Sequence, residues 1–347
     1  MEQKKNKILI TGGCGYIGSQ TIIELVKQNK YEIISADNFI NSSAATLERI
    51  REISGREIKN YELDLRDKEK TLKLFEENKD LVGVIHFAAL KSVPDSVADP
   101  ILYYENNISS LLNILSACDQ YQVDNLIFSS SCSVYGNVEK LPVDENTPLT
   151  RAESPYAHTK QLGEDIIRHF AKTSSVKTIA LRYFNPVGAD ASGKIGENPI
   201  NRPNNLVPVI TQTAVGKIEQ LTVFGGDYDT RDGSCIRDYV HVADIAKAHI
   251  LALGYLIDDK NRSNFEIYNL GTGQGVTVLE AIKAFEEVSK QKLNYIVGPR
   301  REGDVASIYS NSQLAEERLG WKAENDIYDM MSSAWKWQLN LEKEQVK

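Results

Sequence analysis

No apolar run in this chain approaches the roughly 18 residues that a membrane-crossing helix requires, which excludes a helical membrane protein and leaves no membrane partner to expect. Cysteine is scarce and dispersed. The four residues, Cys14, Cys118, Cys132 and Cys235, form no C-x-x-C pair, which argues against a disulfide framework or a zinc site and suits a reducing cytoplasm. No metal is expected. Positive charge is in deficit, with 40 Lys and Arg against 48 Asp and Glu and a net charge of −8. That balance argues against nucleic acid as a partner while leaving room for a local basic pocket that takes phosphates. The first seven residues pass directly into a strand pattern with no signal-peptide apolar region, so a cytoplasmic location is the expectation. Internal repeats and low-complexity linkers are also missing.

What is present is ordinary globular material. Hydrophobic residues make up 41% and charged residues 25% of 347 positions, enough for one large or two moderate domains. Lys7–Thr11 is a short, nearly continuous apolar run, as in a strand buried in a parallel sheet. It runs into Gly12-Gly13-Cys14-Gly15-Tyr16-Ile17-Gly18 and then a helical spacing through Ile22, Leu25 and Val26. Strand, glycine turn and helix in that order form the context of a dinucleotide fingerprint, here with the spacing G-x-x-G-x-x-G. Glycines let the backbone turn tightly beside a pyrophosphate, which then sits on the helix N-terminus. The second strand, Glu32–Ala36, ends at Asp37, where a carboxylate accepts from a ribose 2′-OH and repels a 2′-phosphate, favouring NAD over NADP.

Further strands are expected near Asn60–Leu63, Leu81–Phe87, Asn125–Phe128 and Thr178–Tyr183, with a long helix from Pro100 to about Tyr121. Asp64 follows the third strand and could meet the adenine edge. Ala88 and Ala89 follow the fourth, where small residues let a cofactor lie close. His86, inside an apolar run, reads as a satisfied core histidine. Strand–helix alternation over the first part of the chain indicates a doubly wound α/β sheet. Beyond Gly188 the regularity fades. Shorter elements are expected there: helices near Leu206–Lys217, Val242–Leu256 and Thr277–Ser289, strands near Gln220–Phe224, Glu266–Leu270 and Leu293–Val297, and two C-terminal helices.

The chemistry centres on Ser154-Pro155-Tyr156-Ala157-His158-Thr159-Lys160. Pro155 suits a first helical turn, so Tyr156 and Lys160, four apart, share a helix face. An ammonium beside a phenol favours the phenolate, which lets tyrosine accept a proton. His158, two positions on, points away into solvent.

The glycine turn, Asp37, a serine after the fifth strand and Y-x-x-x-K together resemble the extended short-chain dehydrogenase/reductase superfamily. Longer strings narrow the resemblance to the UDP-glucose 4-epimerase family: His86-Phe87-Ala88-Ala89-Leu90-Lys91, Ser129-Ser130-Ser131, Arg182 to Gly188, Pro203-Asn204-Asn205-Leu206, Arg237 to Val242, Tyr268 to Gly271, and Arg300-Arg301-Glu302-Gly303-Asp304. It covers nearly the whole chain. It implies a parallel Rossmann-type sheet in residues 1–188 that binds NAD. Residues 189–347 would form mainly a smaller mixed α/β domain for the nucleotide-sugar, with some segments returning to the first domain. By the same resemblance NAD is held by Gly12, Gly15, Tyr16, Ile17, Gly18, Asp37, Asn38, Asp64, Leu65, Phe87, Ala88, Ala89, Lys91 and Asn106. Ser131, Tyr156, Lys160 and Phe184 surround the nicotinamide and the sugar. A UDP-sugar is gripped by Lys91, Asn185, Asn205, Leu206, Phe224, Arg237, Arg301, Asp304 and Ile308. It further implies a homodimer built from the long helix after Pro100 and the helix bearing Tyr156.

The implied reaction is interconversion of UDP-galactose and UDP-glucose through a transient 4-keto sugar. Related 4,6-dehydratases carry an Asp-Glu acid/base pair just after the serine, where this chain has Cys132 and Ser133, which cannot do that proton work. A uronate epimerase would want an extra cation for the sugar carboxylate, and an idle NAD-binding protein would not need Ser131, Tyr156 and Lys160 intact. Cys14 reads as a small filler of the glycine turn. Ile308 is intermediate in size where a bulky aromatic would exclude, and a small residue admit, an N-acetyl group. Secondary activity on UDP-GlcNAc and UDP-GalNAc is the corresponding expectation.

Overall fold

A computed structural model describes residues 5–201, 203–301 and 304–345. Met1 to Lys4, and Glu302 and Gly303 of the arginine-rich motif, lie outside the described residues. In the first part, β1 (Lys7–Thr11), β2 (Glu32–Ala36), β3 (Lys59–Tyr61), β4 (Leu81–His86), β5 (Asn125–Ser129) and β6 (Lys177–Tyr183) alternate with helices. These are α1 (Tyr16–Gln28), α2 (Ala45–Ser54), α3 (Lys68–Glu77), the pair α4 (Val93–Ala98) and α5 (Pro100–Tyr121), and α6 (Pro155–Phe170). The apolar runs form strands because both sheet faces are covered, and β1, β4 and β5 are almost wholly buried.

The later part supplies β7 (Asn185–Val187), α7 (Leu206–Ala214), β8 (Leu221–Phe224), β9 (Ile236–His241), α8 (Val242–Ile257) and β10 (Phe265–Leu270). It continues through β11 (Gly275–Thr277), α9 (Val278–Ser289), β12 (Tyr295–Gly298), β13 (Ser307–Ile308), α10 (Gln313–Leu319) and α11 (Ile327–Gln345). The central sheet has seven strands in the order β10-β6-β5-β4-β1-β2-β3, all pairs parallel. β10 therefore returns to the first sheet beside β6, while α8 packs on α1. A second sheet joins β11, β9 and β13, with β7 also on β9, and β8 pairs with β12.

Several expectations shift. β3 lies at Lys59–Tyr61, ahead of the expected Asn60–Leu63, because an edge strand has only one partner and a short register. α7 stops at Ala214, three residues before the expected end, and Val215 and Gly216 carry the turn. β9, β11 and β13 had no expected strand. No helix among the described residues is long and apolar enough to cross a membrane.

Candidate active site

The carboxyl ends of the parallel strands gather the site. Gly12 has φ +68°, and a Cβ there would lie 2.9 Å from the Ala88 backbone nitrogen, so the glycine turn lies hard against the exit of β4. A Cβ on Gly18 would meet the Gly12 carbonyl oxygen at 2.2 Å, so only glycine lets α1 start this close to the turn. Gly15 caps α1 with no side-chain hydrogen bond, leaving the amides of the first turn to a ligand. Tyr16 sends its hydroxyl to the Gly188 carbonyl (2.6 Å), and Ile17 packs partly against the core. Asp37, buried at the end of β2, accepts from the Cys14 amide (2.9 Å) through Oδ2, and from the Phe39 amide (2.9 Å) and the Ser42 hydroxyl (2.7 Å) through Oδ1. The carboxylate thus anchors the turn to the loop that carries Asn38. Burial first, and then the charge of Asp37, push the Cys14 thiol up to about 12, as fits a filler.

At the ends of β3 and β4 the picture is mixed. Asp64 is engaged by a fork from Arg66 (2.6 and 2.9 Å), which holds its carboxyl below the usual range. Leu65 is buried beside it and accepts through its carbonyl from Asn113 (2.8 Å). Phe87 turns its ring onto His249, 4.5 Å between centroids, so the core takes that side chain. His86 shares a 2.7 Å hydrogen bond with Thr11, and burial lowers its pKa to about 3, a satisfied core histidine. Ala88 donates its amide to Thr11 (3.4 Å), and Ala89 follows it beside the glycine turn. Asn106 donates to its neighbour Asn107 (3.0 Å). Asn107 in turn brackets Leu90 through both backbone groups (2.8 and 3.0 Å) and reaches Thr159 on α6 (3.1 Å).

The Ser-Tyr-Lys set sits deeper. Ser154 caps α6, accepting from the Ala157 amide (3.1 Å), and Pro155 occupies the first turn. Tyr156 and Lys160 share the inner face, with the Lys160 Nζ 5.9 Å from the Tyr156 ring centre. Lys160 donates to the Ser129 carbonyl (2.7 Å), and burial lowers its pKa to about 8, against an opposing pull from Glu164. Burial, and then Tyr183, push the Tyr156 phenol well up, while a hydrogen bond from Ser131 works the other way. In the protein by itself desolvation is the largest influence on the phenol, and the Lys160 ammonium gives its hydrogen bond to Ser129. Phe184, fully buried, stacks near Tyr135 at 6.5 Å. His158 is exposed and bonds Tyr104 on α5 (2.8 Å).

In the later part of the chain two arginines share one carboxylate. Arg301 forks onto Asp304 (3.1 and 2.8 Å), and Arg237 approaches the same carboxylate at 3.7 Å. Arg301 also lies 5.3 Å over the Phe224 ring. Arg237 donates to the Val305 carbonyl (2.7 Å). β13 pairs Ile308 directly with Arg237. The Arg237 charge acts on the Cys132 thiol beside Ser131. Asn185 holds a buried Oδ1 with no partner, as does the Ser133 hydroxyl, and both are polar atoms that a hydroxyl-rich ligand would satisfy. Leu206 opens α7 just after Asn205.

Glu197 was not foreseen. Its carboxylate accepts from Lys91 (2.9 Å) and from Asn205 (2.7 Å), joining a residue expected on the cofactor to one expected on the nucleotide-sugar. It lies in a Gly- and Pro-rich stretch that reads only as loop. Tyr183, hydrogen-bonded to Ser129 (2.7 Å) and acting on Tyr156, stood inside a motif but had no assigned role.

A glycine turn under a helix start, an acidic second strand and a Ser-Tyr-Lys set on a parallel sheet define a nucleotide-cofactor enzyme of the short-chain dehydrogenase/reductase type. The chain belongs to the NAD dependent epimerase/dehydratase family, whose model matches residues 8–271. More particularly, it is 46% identical over 332 residues to the UDP-glucose 4-epimerase of Bacillus subtilis (strain 168), covering 95% of this chain and 96% of that one. The UDP-glucose 4-epimerase of Stenotrophomonas maltophila, solved with NAD and formylated UDP-arabinopyranose, superposes with a TM-score of 0.94 at 42% identity, covering 98% of this chain and 99% of that one. That of Bifidobacterium longum, solved with NAD+ and UDP, gives 0.91 at 44% identity, covering 96% and 98%.

Gly18→Ala should force α1 away from the Gly12 carbonyl and weaken NAD binding about tenfold or more, a cost of at least about 1.4 kcal/mol, and so lower the NAD occupancy of the purified protein. Nucleotide released on denaturation measures this, and unchanged occupancy would show that the close approach does not matter.

Proposed function

We propose that the protein interconverts UDP-galactose and UDP-glucose by epimerising C4. The observation that carries this reading is the buried Tyr156–Lys160 face of α6 against the serine loop, with Arg237 and Arg301 sharing Asp304 in the later part of the chain. The residues fit NAD: free amides at the start of α1, a glycine cradle that a Cβ would fill, and an acidic group at the end of β2. Gly12, Gly15, Gly18, Asp37, Lys91 and Lys160 would hold it, and when bound it supplies a hydride acceptor and donor together with a positive charge in a dry site. Tyr156 would take the proton of the sugar 4-OH and give it back to the same oxygen once the 4-keto sugar has turned its other face to the cofactor, which would supply the hydride at C4. Ser131 hydrogen-bonds that oxygen and relays the proton. Arg237 and Arg301 grip the diphosphate, since guanidinium forks match phosphate oxygens. Asn185 and Asn205 take hydroxyl and phosphate groups. The reaction is redox-neutral overall, so the cofactor can stay bound through repeated turnovers.

Cofactor and sugar divide at Gly188, with α8 and β10 returning to the first sheet. A 4,6-dehydratase reading is disfavoured because burial pushes the Cys132 thiol up to about 12 and Ser133 is a hydroxyl, so neither can act as acid or base near neutrality. A cytoplasmic, homodimeric enzyme fits the rest. On α5, Ile101 and Leu112 are exposed and, with the half-buried Ile108, follow one helical stripe interrupted by Glu105, a mainly apolar face for a second copy.

Incubating the purified protein with UDP-galactose and no added cofactor should produce UDP-glucose, followed by the anomeric proton in NMR. No product, even with NAD supplied, would sink the assignment. Tyr156→Phe should lower kcat by about 10²–10⁴ with the fold intact, as loss of a general base does. Ile308 is buried beside Arg237 and of middle size, which supports weak to moderate turnover of UDP-GlcNAc and UDP-GalNAc. Ile308→Tyr should abolish that turnover and spare UDP-galactose, and a parallel fall of both would refute the gate. Leu112→Glu should shift the protein to monomer in sedimentation, whereas an unchanged dimer would move the interface elsewhere.

A further inference from the structure

Behind the catalytic face lies a buried charge pair that the proposed chemistry does not use. Glu164 follows Lys160 by one helical turn on α6 and is fully buried. Its Oε1 accepts from the Ser130 hydroxyl (2.6 Å) and the Arg182 Nε (2.9 Å), and its Oε2 accepts from the Arg182 Nη2 (2.6 Å). The two side chains are only 1% and 3% exposed. Arg182 also donates to the Tyr135 hydroxyl (3.1 Å), which passes on to Asn269 (2.7 Å) on β10. Glu164 thus binds together the helix that carries Tyr156 and Lys160, the residue preceding Ser131, and the strand that leads to Phe184. Stability alone does not call for such a pair, because apolar side chains of similar volume serve as well in most cores.

We propose that Glu164, locked by Arg182, is the positioning residue of the catalytic set: it keeps Lys160 an ammonium and ties the serine loop to the helix bearing Tyr156. The inference rests on the epimerase reading for its kinetic arm only. Around Lys160 the titratable and charged groups are His86 on β4, Tyr156 and Glu164 on α6, Arg182 and Tyr183 on β6, and Cys132 and Tyr135 after β5. Burial keeps His86 neutral and pushes the Cys132 thiol and the Tyr135 and Tyr183 phenols up to about 12, so near neutrality they carry no charge. Glu164 is the group that opposes the desolvation of Lys160. The sign follows: replacing its carboxylate removes an attraction and leaves the Arg182 guanidinium unneutralised nearby. Both changes disfavour the ammonium and lower its titration midpoint.

The test is Glu164→Gln, made in the NAD-containing protein labelled with [ζ-¹⁵N]lysine. The Lys160 midpoint should fall by about one unit, and kcat for UDP-galactose at pH 8 should fall about fivefold, with a smaller loss at lower pH and KM within about twofold. A wild-type midpoint, or a uniform loss of kcat across pH with that midpoint unmoved, would overturn the proposal and leave the pair a purely structural element. Should Glu164→Gln fail to fold, the double variant Glu164→Leu/Arg182→Met, which removes both charges, decides. Its Lys160 midpoint should still lie below wild type, by less, and a midpoint equal to wild type overturns the proposal. If the wild-type protein leaves UDP-galactose unchanged, the functional reading fails, while the lysine titration still decides this one.

Discussion

Every strand of the central sheet runs in one direction, and that shared direction does more to shape this molecule than any single contact. Parallel pairing forces each connection back across a face, so both faces fill with helices, and every strand delivers its following loop to the same edge. The glycine turn after β1, Asp37 after β2, Ala88 after β4, Ser131 after β5 and Phe184 after β6 come from distant parts of the chain. They meet because the sheet exits on one side. The second sheet, with Arg237 on β9 and Ile308 on β13, then needs only to face that edge.

Burial at that edge has an electrostatic consequence. Desolvation penalises whichever form of a group is charged, so it raises the Tyr156 phenol and lowers the Lys160 ammonium together. Left to itself, the dry centre prefers a neutral tyrosine beside a lysine close to losing its proton. The compensation comes from outside the pair: a hydrogen bond from Ser131 for the tyrosine, a carboxylate one turn away for the lysine. Such a centre is poised rather than fixed, and a nearby change in charge alters its protonation strongly.

How much of this was legible in the sequence depended on which way each residue faces. β1, β2, β4, β5 and β6 showed as apolar runs because the sheet covers both their faces. β9 did not, since Ile236–His241 carries Arg, Asp, Tyr and His toward a site and a hydrogen-bond network. Asp238, for example, is fully buried and accepts from Thr272 and Ser310, an arrangement no local pattern reveals. α2 and α3 were missed because they are charged surface helices, and α2 buries only Ile50. Around the sheet edge, the motif residues stand out by resemblance and by spacing, whereas Glu197 and Asn107 act through partners far along the chain. Their roles exist only once the fold brings those partners near. Phe87 and Asp64 stand at the strand ends with their side chains against His249 and Arg66.

The position of β10 has a bearing on how the protein is made. The edge of β6 stays open until Phe265–Leu270 pairs with it, and between the two strands the ribosome must first deliver β7 to β9 with α7 and α8. During that interval a nascent chain presents an unpaired, apolar strand edge, the kind of surface that seeds association between chains. Closure of the first sheet therefore waits on translation of β7, β8 and β9, and a product ending before Leu270 would carry the whole glycine turn and Tyr156 yet retain an open edge.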